Sequence, residues 1–245
     1  MTRVLSRRKA KMTLLWFTGM YMEKCSDDEK KFLRRLKKKL QTLYSSVKTM
    51  CFAPPLTYAG RGYGNINVWA NYDPEEGETY RNTCNTNAGQ WFPYSASHLY
   101  STLNSIEGDC LFMGFSNGAV PAMEFAKYYA PGKQRKGPIT KGVILFNGCP
   151  QWKKIDEHRR EPQQFPVQFF LSDQDDLWDE HQKLYKVAWS FGANIFRYKG
   201  RHGALPPEYF SFFCSTIRTL LKYDAEVRSS FTDDFPARLS EFHIS

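Results

Sequence analysis

The stretch from Cys110 to Gly118, CLFMGFSNG, leaves an apolar run through two glycines that flank one serine. In a Gly-x-Ser-x-Gly turn the serine lies on a sharp turn between a strand and a helix, so that its hydroxyl projects from the edge of a sheet. Gly114 and Gly118 lack a Cβ, which lets neighbouring backbone approach such a turn closely. Because an ordinary glycine-rich loop can carry the same five residues, the surrounding elements have to decide between the two interpretations.

Short apolar strands alternate with helices on both sides of this turn. Strands are predicted at 12–17, 47–53, 109–114, 141–148, 165–173 and 193–200. Helices are predicted at 26–45, 95–106, 119–130, 179–192 and 209–223. This alternation predicts an α/β fold, a three-layer sandwich in which helices cover both faces of a mostly parallel central sheet. Right-handed crossovers then bring the carboxyl ends of the strands to one edge, where ligands of such sheets bind.

The length and composition favour one domain over residues 1–245, because 42% hydrophobic residues are enough for a sizeable core. Within it, residues 56–94 are rich in Gly, Asn, Tyr and Thr and show little periodicity. Segments of that length are commonly binding loops, so we expect a long loop or lid-like insertion there. The tail from about residue 225 is expected to be irregular.

A net charge of +9 raises the question of a nucleic-acid or anionic membrane partner. Much of the excess lies in the first eleven residues and in the run KKFLRRLKKKL at 30–40. Phe32, Leu36, Leu40 and Leu43 recur there at helical spacing, which makes the basic residues the solvated face of a helix over 26–45. No nucleic-acid partner is expected, since zinc-finger and RNP-type motifs are absent from the sequence. An anion-binding module built on this helix is a minor alternative.

The six cysteines are scattered, without metal-ligand spacing, so we expect reduced thiols and no structural metal. The sequence contains no apolar stretch of membrane-spanning length, and the N-terminus lacks the order of a signal peptide. A cytoplasmic protein is therefore expected. Organellar targeting by the basic N-terminus is the alternative.

Partners for the serine follow later strands of the predicted sheet. A serine hydroxyl becomes a nucleophile when an imidazole accepts its proton and a carboxylate orients that imidazole. Ser116 follows the third strand, and His202 follows the sixth and has glycine neighbours. Several aspartates follow the fifth strand, among which Asp175 is favoured and Asp173 and Asp176 remain alternatives. The order Ser, Asp, His predicts a catalytic triad at one edge of the sheet.

The chain resembles the α/β-hydrolase superfamily, and within it the FSH-type serine hydrolases, neighbours of the carboxylesterase, phospholipase and acyl-protein thioesterase group. The motifs that carry the resemblance are LLWFTGMY, CFAPP, QWF, GFSNGAV, PVQFFLSDQDDLW and YKGRHGALP. It implies the α/β-hydrolase fold, places the family's acid on Asp175 and assigns the oxyanion hole to the N–H groups of Met20 and Asn117. Thr18 departs from the family's usual His, and Ser172 departs from its usual Gly. Asn117 also stands where Gln is common.

The resemblance and the triad together imply hydrolysis of a small-molecule ester or thioester through an acyl-serine intermediate, with no cofactor. Aromatic side chains of the long segment and its surroundings are candidates for an apolar acyl pocket, with ordinary packing as the alternative. These residues are Trp69, Tyr72, Trp91 and Phe92. The alternative function is a hydrolase-derived binding protein with vestigial turnover, which Thr18 and the unusual long segment motivate.

Overall fold

Strands and helices alternate along most of the chain. The computed structural model describes residues 11–19, 22–54, 56–60, 64–69, 97–133, 136–148, 163–175, 188, 191–203, 205–222 and 241–243. The strands are β1 (Lys11–Phe17), β2 (Ser46–Phe52), β3 (Leu56–Gly60), β4 (Gly64–Val68), β5 (Asp109–Phe115), β6 (Ile139–Phe146), β7 (Val167–Gln174), β8 (Asn194–Arg201) and β9 (Glu241–His243). The helices are α1 (Asp27–Leu40), α2 (Ser97–Asn104), α3 (Ala119–Tyr128) and α4 (Phe210–Lys222), with single 3₁₀ turns at Ser116–Gly118 and Pro207–Tyr209.

The main sheet has the strand order β2-β1-β5-β6-β7-β8-β9, and all neighbouring strands in it are parallel. The predicted α/β class is confirmed, since each of the six predicted strands is present. Strand β5, which leads to Ser116, lies between β1 and β6 and has five consecutive buried residues. Such continuous burial is expected of a strand covered on both faces.

Helices cover both faces of the sheet. Because side chains alternate along a strand, Leu15 and Phe17 pack with residues of α2 and α3. Leu14 and Trp16 pack on the opposite face, with residues of α1 and α4. The core is therefore divided by the sheet into two apolar layers.

Helix α1 begins with the capping box that the Ser-Asp-Asp-Glu sequence predicts. The Ser26 hydroxyl accepts a hydrogen bond from the Glu29 N–H, and the Glu29 carboxylate accepts one from the Ser26 N–H. The same carboxylate accepts a hydrogen bond from Trp16 Nε1 at 2.7 Å, which ties the helix start to β1. Of the apolar residues predicted to share one face, Leu36 and Leu40 are buried and Phe32 and Leu43 are partly buried; Leu33 is buried as well. Most of the lysines and arginines on the helix are exposed, as predicted.

Two parts of the chain differ from the sequence-based expectation, and a third is only partly described. The segment 56–94 contains an antiparallel hairpin of β3 and β4, which its low periodicity did not predict. Within the tail expected to be irregular, β9 pairs in parallel with β8 at the sheet edge. Of the helix predicted at 179–192, residues 188, 191 and 192 are described, and Ala188 is helical and buried.

The expectation that all cysteines are reduced is wrong for two of them. Cys25 and Cys51 form a disulfide across 26 residues, with their Cα atoms 6.2 Å apart. The pairing was not readable from spacing, because it depends on how the segment just before α1, which contains Cys25, lies against β2, which contains Cys51. Cys110 and Cys214 are free and buried, as expected, and burial raises the pKa of both thiols. Cys84 and Cys149 lie outside the described residues.

One group of potential metal-ligating side chains occurs in the described part of the chain, formed by Cys25, Glu29 and Cys51. The two sulfur atoms are bonded to each other, so neither is a thiolate. The carboxylate already accepts hydrogen bonds from Trp16 and Ser26.

None of the helices in the described part of the chain combines the length and the apolar character needed to cross a membrane.

Candidate functional site

Ser116 stands on a strained turn where β5 passes into α3. Its φ is 51°, in the left-handed region that side-chain-bearing residues rarely occupy. Such a conformation costs on the order of 1–3 kcal/mol and persists where the surrounding structure enforces it. The 3₁₀ turn of residues 116–118 leads directly into α3, so the predicted succession of strand, turn and helix around Ser116 is present.

The two glycines of the motif are explained by close backbone approach. A Cβ on Gly114 would overlap the carbonyl of Gly118, on the far side of the turn. A Cβ on Gly118 would overlap the carbonyl oxygens of Phe17 and Thr18 at the end of β1. The turn is therefore packed tightly against the carboxyl end of the neighbouring strand.

The candidate acid and base meet at the ends of β7 and β8. Asp175 directly follows β7, and His202 directly follows β8. Asp175 Oδ2 lies 2.7 Å from His202 Nδ1, and the Asp175 side chain is 1% exposed. Among the alternatives, Asp173 is engaged elsewhere, since it accepts a hydrogen bond from Arg197 Nε at 2.6 Å. Asp176 lies outside the described residues.

The imidazole of His202 also lies beside the end of β5. Its ring centroid is 5.1 Å from that of Phe115, the residue directly before Ser116. Gly148, after β6, approaches the same turn so closely that a Cβ there would overlap the Ser116 carbonyl. The edge of the sheet thus gathers the ends of β5, β6, β7 and β8 around these side chains. Because Nδ1 faces the Asp175 carboxylate, Nε2 is the ring nitrogen that points away from that carboxylate.

The turn after β1 is held by a link that sequence reasoning missed. Trp69, just after β4, donates a hydrogen bond from Nε1 to the Thr18 carbonyl at 2.8 Å. Its backbone N–H donates to Asn117 Oδ1 at 2.7 Å. Thr18 is fully buried, and its own N–H donates to the Phe52 carbonyl. One tryptophan therefore connects the turn after β1 with the turn that contains Ser116.

The remaining predicted site residues are only partly described. Trp69 is 2% exposed and packs edge-on against Phe17, with ring centroids 5.5 Å apart, which favours the packing alternative for this side chain. A Cβ on Gly19 would lie 3.3 Å from Ser116 Cβ, so the turn after β1 adjoins the serine. The next residue, Met20, lies outside the described residues. So do Tyr72, Trp91 and Phe92.

Comparison with known proteins finds likeness in structure only. No protein-family model matches the chain, and no curated protein matches it in sequence. Among solved structures, acyl-protein thioesterase 2 of Zea mays superposes with a TM-score of 0.58 and 16% identity, over 88% of this chain and 96% of the other. The esterase PE8 gives 0.52 and 17%, over 87% and 94%.

A mammalian structure gives the same result. Alpha/beta hydrolase domain-containing protein 10 from mouse superposes with a TM-score of 0.51 and 13% identity, over 85% of this chain and 89% of the other. The likeness extends over most of each chain, and it agrees with the parallel sheet and the turn at Ser116. The chain therefore has the α/β-hydrolase fold.

Proposed function

We propose that the chain is a serine hydrolase that cleaves carboxylic esters or thioesters through an acyl-serine intermediate. The observation that carries this proposal is the 2.7 Å contact between Asp175 and His202 at the sheet edge where Ser116 occupies a left-handed turn. A buried carboxylate against Nδ1 of an imidazole is the arrangement by which a histidine is held as a base for a serine.

In the proposed reaction, Ser116 Oγ attacks the acyl carbonyl while His202 Nε2 accepts the hydroxyl proton. Asp175 holds the imidazole in the tautomer that leaves Nε2 basic, and it stabilises the imidazolium that forms. His202 then gives the proton to the leaving alcohol or thiol, and the acyl-serine remains. A water molecule, deprotonated by the same histidine, attacks the acyl-serine; His202 then returns that proton to Ser116 Oγ as the bond to the acyl group breaks and the carboxylic acid leaves.

The oxyanion of each tetrahedral intermediate is assigned to the backbone N–H groups of Asn117 and Met20. Asn117 belongs to the turn that leads into α3, where the positive end of the helix dipole also favours negative charge. Since both donors are backbone groups, the replacement of the family's His by Thr18 does not remove either of them. One such donor is worth about 3 kcal/mol in the barrier of an acyl-transfer enzyme.

The substrate class is proposed from the site and from the names of similar structures. The maize protein is named an acyl-protein thioesterase, and PE8 is named an esterase. An apolar acyl group suits the aromatic residues of the long segment, which include Tyr72, Trp91 and Phe92.

The proposal is tested with p-nitrophenyl esters and acyl thioesters of increasing chain length. Wild type is compared with Ser116→Ala and with Ser105→Ala, a control at an exposed serine after α2 whose hydroxyl donates to the nearby Thr102 carbonyl. We expect Ser116→Ala to lower turnover by about a thousandfold or more and Ser105→Ala to match wild type. Equal turnover by wild type and Ser116→Ala would contradict the proposal, and a wild type that hydrolyses none of these substrates would favour the binding-protein alternative.

A further inference from the structure

Asn147 follows β6 in a conformation that few residues tolerate. Its φ is 45°, and it is completely buried at the sheet edge that holds the candidate site. Asparagine is among the residues that occupy the left-handed region most readily, because its short amide finds local hydrogen-bond partners. The backbone N–H of Asn147 donates to the Phe170 carbonyl of β7 at 3.0 Å.

The side-chain amide of Asn147 forms hydrogen bonds to β7, which leads to Asp175, and to β8 and the turn after it, which contains His202. Oδ1 accepts a hydrogen bond from the Ser172 N–H at 2.7 Å, three residues before Asp175. Nδ2 donates to the Gly203 carbonyl at 3.2 Å, one residue after His202. The same Nδ2 donates to Tyr198 Oη of β8 at 2.6 Å.

The chemistry of the amide matches these three partners. Oδ1 faces the Ser172 N–H and Nδ2 faces the Gly203 carbonyl, so both of these partners require the amide in this orientation, and the Tyr198 hydroxyl accepts the second Nδ2 hydrogen. Burial raises the pKa of the Tyr198 phenol, and the charge of Asp175 adds to that effect, so the hydroxyl stays neutral at ordinary pH. A second side-chain hydrogen bond joins β7 to β8, since the Ser172 hydroxyl donates to the Gly200 carbonyl.

We propose that Asn147 is a positioning residue that sets the distance between Asp175 and His202, by holding the end of β7 and the turn after β8 to one amide. This inference rests on the proposed function insofar as it concerns turnover. The contact it explains is the 2.7 Å Asp175–His202 hydrogen bond, which spans two separate chain segments. Without the amide, the Gly203 carbonyl loses a partner next to His202, and the turn after β8 gains freedom to move away from Asp175.

The variant that removes the side chain is Asn147→Gly, because glycine accepts the positive φ without strain. Asn147→Asp is its companion, since it keeps the acceptor toward Ser172 and loses the donors toward Tyr198 and Gly203. The control is Thr140→Val, which removes a buried hydrogen bond to the Ala126 carbonyl at the opposite end of the sheet. Thr140→Val therefore reports the effect of losing a buried hydrogen bond of the same strand away from the site.

Two readouts separate positioning from a merely structural role. The first is the far-downfield proton NMR resonance of the Asp175–His202 hydrogen bond, which does not depend on any substrate. The second is kcat and KM for a p-nitrophenyl ester, measured at a temperature where circular dichroism shows all variants folded. We expect Asn147→Gly and Asn147→Asp to lose or broaden the resonance and to lower kcat by about tenfold to a hundredfold, with KM within about twofold of wild type. Thr140→Val should keep both.

A wild-type resonance and wild-type kcat in both Asn147 variants would overturn the inference. So would an equal loss of both signals in Thr140→Val, because that outcome indicates general loosening of the fold. If Asn147→Gly does not fold, Tyr198→Phe replaces it, with a weakened resonance as the supporting outcome and an unchanged one as the opposing outcome. If wild type shows the resonance but hydrolyses no ester, the proposed function fails while the NMR comparison still decides the role of Asn147.

Discussion

The carboxylate of Asp175 lies 2.7 Å from Nδ1 of His202, although 27 residues separate the two in sequence. The parallel pairing of β7 with β8 produces this contact, because the residues that follow both strands emerge at the same edge. The carboxylate is almost completely buried, whereas the imidazole keeps 15% of its surface exposed. The greater exposure of the imidazole suits the role proposed for His202, in which one ring nitrogen contacts the carboxylate and the other reaches the substrate.

The first prediction concerns this pair. We expect Asp175→Asn to lower kcat by about ten-thousandfold with little change in KM, because an amide no longer selects the tautomer in which Nε2 is basic. The matched control is Asp173→Asn, which removes a carboxylate two residues away that bonds Arg197. Steady-state kinetics of both variants check the prediction, and similar losses in the two would contradict it.

The second prediction concerns the tryptophan that joins the turns beside Ser116. Trp69→Phe keeps an aromatic ring but leaves the buried Thr18 carbonyl without the Nε1 donor. We expect the free energy of unfolding to fall by about 1–3 kcal/mol, and kcat to fall because the turn before Met20 is less firmly held. Trp16→Phe is the control, since it removes a similar bond, to Glu29, in the other half of the core. A change confined to KM for long acyl chains would instead indicate that Trp69 contacts substrate.

The third prediction concerns the tight turn itself. In Gly118→Ala the added methyl group meets the carbonyl oxygens of Phe17 and Thr18, which belong to a central strand and its turn. We expect a loss of about 1–3 kcal/mol in the free energy of unfolding, measured by urea titration. Gly203→Ala should change stability little, because the nearest atom to its Cβ is 3.8 Å away. Equal stability of the two variants would argue against the packing described here.

The fourth prediction concerns the disulfide between Cys25 and Cys51. The bond closes a loop of 26 residues and restricts the unfolded chain, which corresponds to a stabilisation of about 3 kcal/mol. We expect dithiothreitol to lower the urea midpoint of wild type. The double variant Cys25→Ser/Cys51→Ser should show the lower midpoint with or without reductant. An identical wild-type midpoint in both conditions would show that the bond is absent in solution or contributes no stability.

The fifth prediction concerns pH and Asp109 at the start of β5. Burial raises the pKa of this carboxyl above its ordinary value, although Lys141 at 4.0 Å acts in the opposite direction. The folded state therefore binds the proton more tightly than the unfolded state, and this group destabilises the fold as the pH rises through the raised pKa. We expect Asp109→Asn to increase the free energy of unfolding at neutral pH, with the gain shrinking as the pH falls below that pKa. Glu107→Gln, at an exposed carboxylate paired with Lys11, should have little effect at either pH.

Sequence patterns were sufficient for six of the seven strands described in the main sheet, all except β9, and they indicated the side chains expected at its edge. The apolar strands are short and alternate with helices along the sequence. Ser116, Asp175 and His202 each directly follow one of these strands, so a parallel topology brings them to the same edge of the sheet. The same reasoning left Asp173 and Asp176 as alternatives to Asp175. It favoured Asp175 without excluding the other two, because the direction of each side chain at the end of β7 depends on the local backbone.

Three features that depend on contacts between distant segments were not predicted. The link from Trp69 to Thr18 and Asn117 begins in a segment without periodicity, where no local pattern indicates a partner. The disulfide joins Cys25, just before α1, to Cys51 of β2, and cysteine spacing does not determine such connectivity. Asn147 did carry a signal, an Asn-Gly pair directly after a strand, but its three side-chain bonds appear only in the folded protein.

The most direct measurement is intact-protein and peptide mass spectrometry after treatment with an active-site fluorophosphonate. We expect one adduct per chain, located on Ser116, absent from Ser116→Ala, strongly slowed in Asp175→Asn and unchanged in Asp173→Asn. A folded wild-type protein that remains unlabelled, or that is labelled at another serine while Ser116 stays unmodified, would contradict the assignment of Ser116 as the nucleophile.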